Sequence, residues 1–365
     1  MTIRVLSIDG GGMRGVYGAA YLSALERAFA TRRGVSGYLD IGKAFDIIVG
    51  TSTGSIIGCG LAIGMDPREI ARLYTLNGSK IFPRKMPTGI GLDLFIQLFL
   101  RPYYLRKGAS ALRKALETAF QGATIASVWK ERKIALAVPA VNMGNAKSWV
   151  FKTPHESSSN HRDDEYTLAD VCMASSAAPI FRSLEPLRDP VTNTLNVFSD
   201  GGLWANNPVV VALLESLRMS KNSKENIEIF CLGSASMPAG TIIPENRVHM
   251  GILEWKFGAA VAPLSIASQE FAFDNIARQI ASLLDRQVDI VRFPAGALPA
   301  DLLKYLDLDE TSQEGLDALM SQARSDADYA NSLIQHRQPE GLLIEALFNA
   351  MPEKSLGFSM EESNV

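Results

Sequence analysis

The chain has 365 residues, with 36 Lys plus Arg against 39 Asp plus Glu and a formal net charge of −3. An apolar fraction of 47% with 21% charged residues is ordinary for a folded globular protein. These values exclude a largely disordered chain, a coiled coil, a disulfide scaffold and a globally basic nucleic-acid binder, so neither DNA nor RNA is an expected partner. The three cysteines, Cys59, Cys172 and Cys231, are scattered and fit reduced thiols in a cytoplasmic protein. The start of the chain lacks the basic and apolar regions of a signal peptide. The most apolar run, 56–65, is half the length needed to cross a bilayer, so any membrane contact is peripheral.

In chain order, Ile3–Ile8 reads as a buried strand, followed by a glycine cluster and a helix with an apolar stripe over Val16–Phe29. Phe45–Val49 is a second strand, again followed by a glycine-rich turn and a helix over 52–63. Asp66-Pro67-Arg68-Glu69 starts the next helix, with a cap, a proline at the first position and a glutamate three residues on. Further strands are expected at 134–141, 149–152, 197–199, 227–232 and 288–293, with helices at 109–120, 168–175 and 208–219. Pro154–Glu165 is a polar loop. Strands alternating with helices predict an α/β fold with a mostly parallel central sheet and helices on both faces. Beyond about 238 the pattern is mainly helical, at 255–284, 312–335 and 340–350. The expected organisation is therefore a catalytic domain over 1–237 and a helical C-terminal extension over 238–365 packed on it.

Three glycine-bearing segments carry candidate chemistry. Gly50-Thr51-Ser52-Thr53-Gly54 matches G-x-S-x-G and lies between a strand and a helix. That context suits a nucleophile elbow, in which small neighbours allow a sharp turn and the helix dipole faces the serine hydroxyl. Asp9-Gly10-Gly11-Gly12-Met13-Arg14-Gly15 sits in a like context. Its backbone amides suit either an oxyanion or a phosphate, and 10–15 also spell the dinucleotide pattern G-x-G-x-x-G, with Asp40 at roughly the required distance. Asp200-Gly201-Gly202 follows an apolar strand, where an aspartate reaches other loops at the same sheet edge. The four histidines, His155, His161, His249 and His336, all lie away from these segments in sequence. Three readings follow from the residues: a serine acyl hydrolase, a nucleotide- or phosphate-binding protein using 9–15, and a histidine-dependent esterase using His249 or His336.

The ordered set D-G-G-G-x-R-G, G-T-S-T-G and D-G-G resembles the patatin-like phospholipases over residues 1 to about 235, and Ala174–Pro179 is similar to a segment of that family. The resemblance implies Ser52 as nucleophile and Asp200 as its base without histidine. It also implies an oxyanion hole from the amides of Gly10, Gly11 and Gly12 with Arg14, on an elbow flanked by Gly50 and Gly54. No catalytic cofactor is implied. The whole chain also resembles bacterial patatin-like effectors of anti-phage signalling, which implies a cyclic GMP-AMP-type nucleotide as activator and membrane phospholipid as substrate at the inner membrane surface. A homo-dimer or larger assembly is the expected state. The sequence identifies no nucleotide-binding residue.

Residues 80–107 hold six cations against the single acid Asp93, around the apolar run 90–100. Apolar residues flanked by cations suit an interfacial segment on anionic lipid, and equally a buried helix or a dimer contact. Residues 301–365, by contrast, hold 13 acids and 4 bases.

Overall fold

The computed structural model of the chain describes residues 2–86, 92–156, 159–220, 224–235, 243–251, 255, 261–294 and 298–354. Strand β1 (Thr2–Ile8) leads through the glycine cluster into α1 (Gly15–Arg32). A two-residue strand β2 (Tyr38–Leu39) precedes β3 (Ile47–Gly50), α2 (Thr53–Ala62), α3 (Pro67–Ile81), α4 (Leu92–Phe120) and α5 (Ile125–Arg132). Then come β4 (Ala135–Asn142), β5 (Lys147–Lys152), α6 (Leu168–Ser175), β6 (Glu185–Arg188), β7 (Leu195–Asp200), α7 (Gly202–Ala205), α8 (Val209–Met219) and β8 (Asn226–Leu232). The remainder is α9 (Val261–Ser282), β9 (Val288–Phe293), α10 (Gln313–Gln335), α11 (Pro339–Ala350) and β10 (Glu353–Lys354).

The fold is α/β, with an eight-stranded sheet in the order β6-β7-β4-β3-β1-β8-β9 and β5 also paired to β4. The run β4-β3-β1-β8-β9 is parallel, whereas β5 and β7 pair antiparallel with β4 and β6 pairs antiparallel with β7. Alternate strand residues enter two cores. Leu6, Ile8, Ile48, Leu136, Phe230 and Leu232 face one, while Val5, Ile47, Val49, Ala135, Ile229 and Cys231 face the other. Burial on both faces is why these strands read as continuous apolar runs. On the first face lie α1, α2, α3, α6, α10 and α11, and on the second α8 with residues of α9.

Local signals set the helix starts. Asp66 accepts the Arg68 N–H at 2.9 Å with Pro67 in the first turn. Helix α5, unexpected from sequence, is opened by a Thr124–Ser127 capping box, with serine where glutamate or glutamine is usual. Helix α4 starts well before the expected residue 109 and runs through Pro102. The expected domain boundary at 237/238 lies outside the described residues. Beyond it, β9 pairs with β8 in the main sheet, and α10 packs along α1, where the Tyr17 hydroxyl donates to Asp326 at 2.5 Å.

The register brings the three motif segments to one edge. Ile8 pairs with Gly50 and with Leu232, so the loops after β1, β3 and β8 begin at one level. Strand β4 continues past β3 to Asn142, and antiparallel β7 runs back along it to end at Asp200 opposite Ala140. An antiparallel strand thereby brings its last residue to the carboxyl edge of a parallel sheet.

Candidate active site

Ser52 occupies the turn between β3 and α2 with φ 55° and ψ −122°, a strained conformation for a residue with a side chain. Its glycine neighbours are steric requirements. A Cβ on Gly50 would lie 2.2 Å from the Gly54 carbonyl oxygen, and one on Gly54 would lie 2.4 Å from that of Ile8. The turn is pinned by the Thr51 hydroxyl, which donates to the Ala205 carbonyl at 2.6 Å, and by the Ser52 N–H, which donates to Ser175 Oγ at 2.8 Å. The Ser175 hydroxyl donates in turn to the Pro139 carbonyl at 2.7 Å, and its own carbonyl accepts the Gly201 N–H. Ser175 thus holds the elbow and the Asp200 loop together. Within the 174–179 segment, its sequence gave no sign of this individual role.

The Ser52 hydroxyl donates to Asp200 Oδ2 at 2.8 Å, and the Gly202 N–H donates to Asp200 Oδ1 at 2.6 Å. Burial raises the Asp200 pKa to about 6, although the Gly202 amide, Ser52 and the Arg182 charge pull it down. That value makes Asp200 a better proton acceptor than an exposed aspartate while leaving it ionised at neutral pH.

The glycine loop divides its groups. The Gly10 N–H is taken by the Asn206 carbonyl at 2.9 Å, while the Gly10 carbonyl accepts from Ser234 Oγ and Asn206 Nδ2. The Met13 N–H donates to the Leu308 carbonyl. The N–H groups of Gly11 and Gly12 have no acceptor among the described residues, and both glycines line the same cleft as Ser52. Gly12 has φ +58°, and a Cβ there would lie 2.4 Å from the Leu308 carbonyl oxygen. Arg14 is buried and donates to the carbonyls of Gly11 at 3.2 Å and Ala235 at 3.1 Å, so it braces the loop. Asp9 Oδ2 accepts from Arg292 at 2.6 Å. Burial lifts the Asp9 pKa to about 7 against the pull of Arg292, and Arg292 itself bonds further to Asp274 on α9.

Ser52, Asp200, Gly11 and Gly12 share a cleft of about 1030 Å³, counted out to its open mouth and walled largely by apolar side chains such as Ile56, Leu112, Phe181 and Ile266. No histidine lines it among the described residues. His155 is buried against Thr153 and Glu215, His161 pairs with Asp164, and His336 ends α10. Asp40 bonds to Arg132 at 2.8 Å, and the strand before it pairs only with β10, outside the main sheet. The second half of the dinucleotide pattern is therefore missing.

A profile of the family described as patatin-like phospholipase matches residues 6–213. The chain is 30% identical over 333 residues to a cGAMP-activated phospholipase of Vibrio cholerae, covering 88% of this chain and 89% of that one. It is 28% identical over 329 residues to a protein of the same name from Escherichia coli, covering 88% of each. A third relative of that name, from Pseudomonas aeruginosa, is 30% identical over 280 residues, 76% of this chain and 75% of its own. The chain belongs to the patatin-like phospholipase family and is a lipid acyl hydrolase.

Proposed function

We propose that this protein cleaves fatty acyl esters of membrane phospholipids through Ser52 and Asp200, and that a cyclic dinucleotide of the cGAMP type switches it on in antiviral defence. The observation that carries the catalytic reading is the 2.8 Å hydrogen bond from Ser52 Oγ to a buried Asp200 in an apolar cleft beside two amides that have no acceptor among the described residues. As Ser52 attacks the ester carbonyl, its proton passes to Asp200 and the carbonyl oxygen becomes anionic. The Gly11 and Gly12 amides meet that charge, joined by the Thr53 N–H that follows the nucleophile. Collapse of the tetrahedral species expels the lysolipid alkoxide, which takes the proton from Asp200. Water activated by the same carboxylate then releases the fatty acid and restores Ser52. Arg14 keeps the loop in shape through Gly11, and the Gly10 amide serves Asn206.

The names of relatives spanning about nine-tenths of this chain support the nucleotide switch. The enzyme then works in the cytoplasm at the inner membrane surface. Peripheral contact through 80–107 is supported by the exposed Phe99 and Tyr103 on α4, while 87–91 and the side chains of 92–96 and 98 lie outside the described residues. We assign 1–237 to catalysis and 238–365 to the extension, in a chain that assembles as a homo-oligomer. The test is hydrolysis of phosphatidylglycerol vesicles with and without cGAMP. Wild type is expected to be active only with the nucleotide, and Ser52→Ala and Asp200→Asn to lose at least ~10³-fold while remaining folded. Equal activity without nucleotide overturns the switch; retained activity in either variant overturns the dyad.

A further inference from the structure

Arg182 follows α6 in the wall of the cleft that holds Ser52 and Asp200, and it is only 6% exposed. A buried guanidinium normally has a carboxylate partner. This one has none among the described residues. Its Nε is buried without an acceptor, and its one hydrogen-bond contact is a weak one from a terminal nitrogen to Met173 Sδ at 3.8 Å. The two nearby acids are committed elsewhere. Glu185 bonds to Arg113 at 2.6 Å, and Asp200 bonds to Ser52 and Gly202. Burial pushes the Arg182 pKa down to about 10, so it still carries its charge at neutral pH.

The backbone goes to some expense to hold this position. Ile180, two residues earlier, has φ +72°, an outlier for a β-branched residue. The turn is fixed by the Arg182 N–H donating to the Ala178 carbonyl at 2.8 Å and by Arg101 donating to the Ile180 carbonyl at 2.9 Å. An unpaired planar fork of donors beside an acyl-ester site matches an oxyanion of the substrate.

We infer that Arg182 is an anion subsite that binds the phosphodiester of a glycerophospholipid while its acyl ester lies at Ser52. The phosphate sits on the glycerol carbon next to the central ester, so a cation in the cleft wall reads the headgroup end while the apolar wall takes the acyl chain. The carboxylate of a released fatty acid offers the same oxygen chemistry, and the test separates the two. The inference rests on Ser52 being the nucleophile.

The test uses the full chain with its activating nucleotide. It measures kcat/KM for phosphatidylglycerol and for diacylglycerol in the same neutral-detergent micelles, and for p-nitrophenyl butyrate. Arg182→Met is expected to lower the ratio of phosphatidylglycerol to diacylglycerol activity about 10- to 100-fold, with Arg182→Lys recovering part of it. In the wild type, sn-glycerol 3-phosphate is expected to inhibit p-nitrophenyl butyrate hydrolysis, an effect weakened in Arg182→Met; this arm holds even if the variant is poorly folded, since absence of inhibition in wild type counts against the site. An equal fall on all three esters, with the acid limb of the pH profile moved upward, means that Arg182 acts through Asp200 and overturns the inference. Altered inhibition by oleate with an unchanged ester ratio assigns the site to the product carboxylate and also overturns it. Butyrate hydrolysis that survives Ser52→Ala fails the nucleophile reading separately.

Discussion

In the proposed mechanism Asp200 must be ionised to accept the serine proton, yet it is almost fully buried. Burial raises its pKa from 3.8 to about 6, so the ester kcat/KM is expected to fall tenfold per pH unit below about pH 6 and to level off above it. The same shift fixes the sign of its effect on stability. The folded protein holds this proton more tightly than the unfolded chain, so the ionised carboxylate destabilises the fold at pH values above about 6. That cost fades as pH falls through 6 towards 3.8. Asp200→Asn is therefore expected to be inactive and about 1–3 kcal/mol more stable at pH 8, with the gain shrinking at pH 5. Denaturant melts at the two pH values check this, and a variant that is less stable at pH 8 contradicts the burial account. Ser175 illustrates another residue-level point: one small hydroxyl, accepting from the Ser52 N–H and donating to the Pro139 carbonyl, ties the turn after β3 to strand β4.

At the scale of elements, the elbow depends on a close approach of α2 to β1. Gly54→Ala would drive a Cβ to 2.4 Å from the Ile8 carbonyl oxygen. The backbone must shift, costing about 1–3 kcal/mol and misplacing Ser52, with a loss of activity of about 10²-fold or more. Paired unfolding and hydrolysis measurements test this. The glycine loop is held from the far side by β9 and α9. Arg292 on β9 bonds to the fully buried Asp9, and Gln269 on α9 accepts the Asn206 N–H while Asn206 holds Gly10. Arg292→Met removes the partner of Asp9, which then takes up a proton; with a wild-type pKa of about 7 this is expected to cost about 2 kcal/mol at pH 8.5. Because the Asp9 pKa is already about 7 with Arg292 present, Asp9 is mostly neutral at pH 5.5 in both proteins. The difference in stability should be clearly smaller there; a pH-independent difference would show that the pair is not electrostatically coupled.

Across the whole molecule, charge and apolar surface are arranged differently from their sequence averages. Of the cations in 80–107, Lys85 bonds to Asp307 at 2.9 Å and Glu310 at 2.5 Å, and Arg101 caps the carbonyls of Ile180 and Arg84. Part of the basic run is thus an internal fastener to the acidic C-terminal region, which rests on the glycine loop through Leu308. The remaining cations Lys80, Arg84, Arg106 and Lys107 are exposed, and so are apolar side chains: Phe99 is 87% exposed and Tyr103 63%, one turn apart on α4, with Ile180 of the cleft also exposed. A membrane contact built on these residues predicts that Phe99→Ser with Tyr103→Ser lowers vesicle hydrolysis about tenfold more than it lowers p-nitrophenyl butyrate hydrolysis. An equal fall on both substrates argues for a folding role instead.

The sequence by itself determined the alternation of strands and helices, the strand-to-helix position of both glycine loops, and the type of chemistry. Each of these is written in local patterns: apolar period, capping residues, and glycines where a side chain cannot fit. The strand-end positions of Ser52 and Asp200 were legible for that reason. What only the tertiary structure decided was the use of groups separated by long stretches of chain. The Gly10 amide is taken by Asn206, Arg14 braces carbonyls, Arg292 meets Asp9 across 283 residues, and Arg182 has no carboxylate partner among the described residues while Arg113 takes Glu185. Hydrogen-bond partners at such separations are set by strand order and register. The antiparallel return of β7 along β4, which brings Asp200 to Ser52, leaves no periodic trace in either segment.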